Sequence, residues 1–277
     1  MNNSLTSRAK KLFINVLMLV ISCMWLIPIW MMMIYATHPD NVIFSGELVF
    51  NPGTDFLKNF AILQGKQDFS MAIFNSVIIA GVSTLLGLLV ASMAGYALAR
   101  FAFRGRNTLF ALIIFILAVP SAAIVIPEYI IVVKHMGLSN NYAGVILPYL
   151  ANAVGVFFMR QSFLNLPAET LEAAYLDGAS EWKIFYSIAL PIVRPALASL
   201  GIILFVAHWN DYLWPMLVMT SEQYQTAPIA LGRLIGLANI EWGAMMVGAS
   251  LMTVPFLLLF LILQKQIIAG ITSGATK

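Results

Sequence analysis

Residues 166–191 read LPAETLEAAYLDGASEWKIFYSIALP, the pattern of two short helices joined by a turn. Pro167 falls where a first helical residue needs no N–H donor, and Glu169 follows in the first turn, where the helix dipole favours an anion. Leu171, Ala174 and Tyr175 recur at helical spacing, and Gly178 suits the left-handed residue that closes a helix. Ser180 then caps a second helix carrying Trp182, Phe185 and Tyr186, and Pro191 predicts its end near Leu190. Helices of roughly ten residues do not persist alone in water. Another surface must cover this segment.

What can cover it follows from the rest of the chain. Of 277 residues, 61% are hydrophobic and only 10% are charged, against about 25% charged in a soluble domain. Several uncharged runs exceed the roughly 20 residues that cross a bilayer as a helix. The chain reads as an all-α membrane protein. Its one cysteine, Cys23, lies in the first apolar run, so no intrachain disulfide forms and a packing role is expected. No low-complexity tract or internal repeat stands out.

Working outward, residues 1–11 are polar and basic, with Arg8, Lys10 and Lys11 just ahead of an uncharged run over 12–36 that contains Pro28. That run is longer than the apolar core of about 7–15 residues in a cleavable leader, so it is expected to stay as a first span. A polar loop over 37–69 follows. The second span lies between Asp68 and Arg100, and the third runs from the FAFRGRN turn to about Pro127. Glu128 to Asn141 reads as a broken, partly interfacial segment, and the fourth span continues to about Met159. Beyond the two-helix stretch Pro195 opens the fifth span, residues 219–241 form another polar loop, and the sixth span lies between Glu241 and Lys265. The expected organisation is a tail over 1–11, a six-helix transmembrane domain over 12–267 with a loop at 161–194, and a tail over 268–277.

Basic residues are retained on the cytosolic side, and their distribution sets the orientation. With the N-terminus inside, the cytosolic set is Arg8, Lys10, Lys11, Arg100, Arg104, Arg106, Arg160, Lys183, Arg194, Lys265 and Lys277. Only Lys58, Lys66, Lys134 and Arg233 fall outside. Both termini and the two-helix loop between the fourth and fifth spans are therefore expected in the cytosol.

In the second span Ser83, Gly87, Ala91, Gly95 and Ala99 recur every four residues, a small-residue stripe that lets another backbone approach. It fits packing within one bundle as well as an interface with a partner. There is no G-x-x-x-x-G-K-[ST] loop for nucleotide phosphates, no H-E-x-x-H and no Cys/His set with metal spacing. His38, His135 and His208 lie far apart near expected helix ends, as satisfied interfacial residues do. Scattered acids leave an enzyme little to work with.

The segment HWNDYLWP at 208–215 is the most informative within the spans. Asp211 lies seventeen residues beyond Arg194, about 25 Å along a helix, near the outer edge of the hydrocarbon layer. Trp209, Tyr212 and Trp214 read as an aromatic belt. Alternatively Trp209, Asn210 and Asp211 line a central path and offer stacking and hydrogen bonds to a polar solute. Asn75 and Asn152 are further path candidates, each able instead to bond a neighbouring helix.

Glu172-Ala173-Ala174, three residues, Gly178, nine residues, then Ile188-x-Leu190-Pro191 resembles the EAA signature of bacterial ABC importer permeases in residue type and spacing. Asp177-Gly178-Ala179 looks like the usual form around the glycine. GYALARFAFRGR at 95–106, WNDYLWP at 209–215 and the ending GITSGATK resemble the carbohydrate-uptake, maltose-type branch, so the likeness runs over nearly the whole chain from residue 12.

That resemblance implies a permease subunit of the bacterial inner membrane, not an enzyme. Its implied partners are a second homologous permease, two ATPase subunits that bind ATP and Mg where this chain holds no cofactor, and an extracytoplasmic solute-binding protein. Lipid and a small-molecule solute complete the set, with no nucleic acid. In the family the EAA loop is a coupling helix resting in a groove of the ATPase. Glu172, Ala173, Ala174, Asp177 and Gly178 then carry over as docking positions: the alanines permit close approach, Gly178 makes the turn and Glu172 offers a charged acceptor. The tail reaches toward the ATPase pair in maltose-type relatives, and the 219–241 loop is a candidate contact for the binding protein. The implied cargo is a sugar or oligosaccharide, or alternatively a polyol or glycerol phosphate. An ion-coupled secondary transporter is the rival class and would keep ionisable residues at mid-membrane.

Overall fold

The computed structural model describes residues 2–235 and 240–275, with side chains described from Lys10 to Ile235, from Ile240 to Ile262 and at Gln264. The described residues are helical throughout, joined by turns and short loops. In order they form α1 (Asn2–Tyr35), α2 (Asp40–Ile43), α3 (Phe56–Lys66), α4 (Phe69–Arg100), α5 (Arg106–Leu117), α6 (Ser121–Tyr129) and α7 (Tyr142–Leu150). There follow α8 (Ala153–Leu164), α9 (Ala168–Leu176), α10 (Glu181–Ile184), α11 (Leu190–Ile192), α12 (Arg194–Asn210), α13 (Leu213–Val218), α14 (Ala227–Ile235) and α15 (Trp242–Ala275).

Three stretches are long and apolar enough to cross a membrane unaided: Lys10–Tyr35, Phe69–Arg100 and Trp242–Ile262. These match the expected first, second and sixth spans. The other three expected spans are bent pairs: Arg106–Leu117 with Ser121–His135 at 100°, Tyr142–Leu150 with Ala153–Leu164 at 42°, and Glu181–Ile192 with Arg194–Asn210 at 78°. Length and composition thus give three to six crossings.

The expected third span ran unbroken to about Pro127, and the structure corrects this. The helix stops at Leu117 and restarts at Ser121, with Pro120 extended ahead of it (φ −59°, ψ 126°). Proline disfavours helical backbone at the residue before it, so Pro120 makes the break. Pro127 sits inside α6, and a π-helical segment, Ile130–His135, continues the path. Pro191 is corrected in the same way. A wide π turn at Phe185–Ala189 precedes it, placing Pro191 in the first turn of α11, where no N–H is needed. The helical path therefore passes Leu190 to Ile192 and turns only at Val193.

The chain divides into two compact units, each with its own contacts. In the first, which holds the residues up to Phe69 and the described part of Leu231–Val254, Asn59 is buried and donates to the carbonyls of Ala36 (3.0 Å) and His38 (2.9 Å). Asp40 accepts from the N–H groups of Trp242 (3.0 Å) and Gly243 (2.8 Å), satisfying two donors in the first turn of α15. His38 is satisfied by the Ile34 carbonyl at 2.9 Å. Cys23, expected to pack, is exposed on α1.

The second unit, Ser70–Ala230 with the residues from Pro255 onward, carries the candidate sites. At one end a core of Tyr96, Met159, Phe163, Leu171, Ile184 and Phe185 joins α4 and α8 to the two-helix stretch. The small-residue stripe of α4 faces this packing. An ideal Cβ on Gly95 would lie 2.8 Å from the Arg160 nitrogen, and one on Gly155 would lie 3.0 Å from the Ala91 methyl. Ala91 and Gly95 of the stripe are thus covered by α8 of the same chain, while Gly87 faces Leu204 of α12.

Candidate functional site

The two-helix stretch folds into an elbow. Helix α9 begins after Pro167 with Glu169 in its first turn, as the sequence indicates. Its end is a Schellman turn. The Gly178 N–H donates to the Tyr175 carbonyl and the Ala179 N–H to the Ala174 carbonyl, both at 3.0 Å, and Gly178 takes φ +74°. Ser180 then caps α10 by accepting from the Lys183 N–H at 3.4 Å.

One face of the elbow is anchored in its own chain. Leu171, Ala174, Ile184, Phe185 and Ala189 are buried in the core with Phe163 and Met159, so part of the required cover is internal. The other face is open: Glu172, Ala173, Asp177 and Gly178 are exposed, and Leu176 is 89% exposed. The expected alanine pair is therefore split, with Ala174 packed inward and only Ala173 facing out. Leu176 is a residue that the sequence reading missed. Its signal is the i, i+4 spacing from Glu172, which puts it opposite the buried Leu171 and Ala174. Trp182 and Tyr186, 59% and 50% exposed, stack on each other with centroids 5.9 Å apart.

The elbow is also tied to α4 by polar contacts. Tyr175 donates to Glu181 at 2.6 Å, and Tyr96, buried on α4, reaches the other Glu181 oxygen at 3.5 Å. Desolvation, then the bond to Glu181, pushes the Tyr175 phenol above its ordinary value, so it stays protonated and donating at neutral pH.

The expected path residues do not form one group. Asn75 is fully buried; its amide donates to the carbonyls of Gln223 (3.0 Å) and Gln225 (2.8 Å) while its oxygen accepts from Tyr142 (2.7 Å). It clamps the polar loop after α13. Asn152 lies in the 42° break between α7 and α8 and caps α8 by accepting from the Gly155 N–H at 2.8 Å. Asn210 is exposed and bonds its own helix at the Val206 carbonyl. Trp209 is buried and stacks on Phe205, and Trp214 is buried as well. Of the three belt aromatics only Tyr212 is exposed.

Asp211 gathers a cluster that the sequence did not reveal. It sits in the extended break between α12 and α13, accepting from the Tyr149 hydroxyl at 2.5 Å and from the Trp214 N–H at 3.4 Å. His208 stacks on Tyr149 with centroids 4.3 Å apart and is 8% exposed, with no hydrogen-bond partner for its Nδ1. It is not the satisfied interfacial histidine that its position implied. No group of three or more His, Cys, Asp or Glu suited to a metal occurs among the described residues.

The C-terminal tail's side chains, and residues 236–239 of the loop proposed to meet a binding protein, lie outside the described residues.

Comparison with known proteins places this geometry in context. Residues 83–273 match the family described as binding-protein-dependent transport system inner membrane component. The chain is 38% identical over 231 residues to the arabinooligosaccharides transport system permease protein AraQ of Halalkalibacterium halodurans, covering 83% of this chain and 82% of that one. It is 30% identical over 275 residues to the sn-glycerol-3-phosphate transport system permease protein UgpE of Salmonella typhi, covering 96% and 98%. Its fold is similar to a chain of a crystallised bacterial ABC transporter involved in importing the acidic polysaccharide alginate. There the TM-score is 0.77 at 22% identity, over 94% of this chain and 97% of the other.

Proposed function

Because the chain belongs to the binding-protein-dependent transport system inner membrane component family, we propose that it is the permease subunit of an ATP-driven importer of a sugar or oligosaccharide. An extracytoplasmic solute-binding protein delivers the cargo, a second homologous permease completes the path, and two separate cytosolic ATPase subunits bind ATP and Mg. The first two bent pairs each count as one crossing and Arg194–Asn210 supplies the fifth, giving six spans within a domain over 12–267, tails at 1–11 and 268–277 in the cytosol, and a coupling loop over 161–194.

The observation that carries this reading is the split character of the elbow. Its inner face is held in the core and tied to α4 through Tyr175, Glu181 and Tyr96. Its outer face leaves Glu172, Ala173 and Leu176 exposed among the described residues. A surface so arranged suits a partner that pushes on it. Nucleotide closes the ATPase pair, the elbow moves with it, and α4 follows, so that one of two bundle states is favoured by differential affinity.

Glycerol phosphate is the second reading for the cargo, supported by the UgpE likeness. A phosphorylated solute needs basic groups along its path, and Arg160 in α8 is engaged with the Phe110 ring (3.8 Å) and the Leu98 carbonyl (3.3 Å). That favours the sugar. The test is uptake into vesicles holding the two permeases and the ATPase, with binding protein outside. ATP-dependent accumulation of a neutral oligosaccharide is expected, and Glu172→Lys is expected to lower it about tenfold by placing a like-signed or unpaired charge at the docking face. Uptake driven by an ion gradient without ATP would contradict the reading.

A further inference from the structure

We propose that the groove between the end of α4 and the start of α10 holds an aminophospholipid, with its ammonium at Glu181, its phosphate at Arg100 and an acyl chain along the apolar wall of α4.

The groove is open and measures about 600 Å³. Met93, Tyr96 and Ala97 wall it on α4. Phe101, Trp182 and Phe185 complete it around Glu181, the one charged residue among those lining it. Met93, Tyr96, Ala97 and Arg100 stand at i, i+3, i+4 and i+7, so they share one face of α4. Arg100 is the first charge after the uncharged run over 69–99, which puts it where a membrane helix meets the headgroups. Met93 lies seven residues earlier, about 10 Å deeper along the helix. The α4 wall therefore runs from headgroup depth to acyl-chain depth.

The charges at its rim are unanswered within the chain. Among the described residues neither Arg100 nor Glu181 makes an ion pair. The two Glu181 oxygens accept from Tyr175 at 2.6 Å and Tyr96 at 3.5 Å, neutral donors that orient the carboxylate without cancelling its charge. Each oxygen keeps a position for a further donor. Phe101 and Trp182 are exposed beside it, and aromatic faces attract an ammonium. An acidic and a basic group over an apolar wall match the two charges and the tail of an amine lipid. A phospholipid without an amine brings its negative charge near Glu181 with nothing to offset it. A free phosphate leaves the apolar wall bare, and a basic protein side chain answers Glu181 but not Arg100.

The test is photolabelling of the assembled transporter in phosphatidylglycerol vesicles, read by peptide mass spectrometry. Two trace probes carry the same acyl diazirine, one on phosphatidylethanolamine and one on phosphatidylglycerol. The ethanolamine probe is expected to label the Met93–Phe101 segment about tenfold more than the glycerol probe, the scale of one charge-assisted hydrogen bond. The exposed Leu17–Met24 segment of α1 serves as reference and should take both probes equally. Glu181→Gln is expected to abolish the difference at α4. Equal labelling of the wild-type segment by both probes would overturn the proposal, leaving an ordinary lipid-facing surface. So would an unlabelled α4 segment beside a labelled α1, which would assign the groove to another subunit. A difference that survives in Glu181→Gln would overturn it as well. The wild-type comparison stands even where that variant fails to assemble.

Discussion

Gly178→Val is expected to reduce uptake at least tenfold while the protein still assembles in the membrane. An ideal Cβ at Gly178 meets nothing within 4 Å, so the effect is not steric crowding. It arises from the backbone, which holds φ +74°. That conformation costs an ordinary residue roughly 1–2 kcal/mol, and a β-branched one more. The chain escapes by opening the turn, which breaks the bonds from Gly178 to Tyr175 and from Ala179 to Ala174 and swings Glu172 and Leu176 away from their common face. Gly178→Asn is the control, because asparagine tolerates the left-handed region, and most uptake should survive. Assays of uptake and ATP hydrolysis on the same vesicles would separate a coupling defect from lost assembly. Equal uptake by the valine variant would remove the turn from the mechanism.

Gly95→Leu is expected to prevent stable folding. Its Cβ would sit 2.8 Å from both the Arg160 nitrogen and the Met159 Cβ, and 3.0 Å from the Met159 carbonyl carbon. Two of these atoms are backbone in α8 and cannot rotate aside. Overpacking of this kind costs about 1–3 kcal/mol or more, enough to part α4 from α8 at the core that also anchors the elbow. Gly87→Ala lies on the same stripe, but its Cβ meets the end of Leu204 at 3.5 Å and the Tyr149 carbonyl oxygen at 3.9 Å, both ordinary van der Waals contacts, and should be tolerated. Thermal melts of the detergent-solubilised variants check the contrast. Similar melting for both would show that the stripe is not a close-packed seam.

The parts legible in the sequence are those set by local chemistry. The Ser180 cap, the Gly178 turn and the long apolar runs that become α1, α4 and α15 follow from residue type and spacing. The breaks depend on which of several prolines is accommodated. Pro28, Pro127 and Pro191 remain within helical paths, the latter two beside π-helical turns, whereas Pro120 ends one. A proline's missing donor is visible in the sequence; whether a wider turn absorbs it is not.

Long-range placement was the least legible. Asn75 reads as a polar group on a path, and only the fold brings the Gln223 and Gln225 carbonyls to it. His208 reads as a satisfied interfacial residue, and only the fold seats it on the Tyr149 ring with its Nδ1 unpaired. Leu176 reads as one more apolar residue in a helix, until burial of Leu171 and Ala174 leaves it on the open side.

The central claim is that the open face of the elbow is pressed by an ATPase subunit. Cys23 is the chain's one cysteine, so Cys23→Ser with Ala173→Cys gives a single reactive thiol at the middle of that face. A photoactivatable benzophenone attached there, illuminated in the assembled transporter in its native membrane, should join this chain to the ATPase subunit, with the yield changing when a non-hydrolysable ATP analogue is added. Attachment to lipid alone, or to no protein in either nucleotide state, would contradict the account.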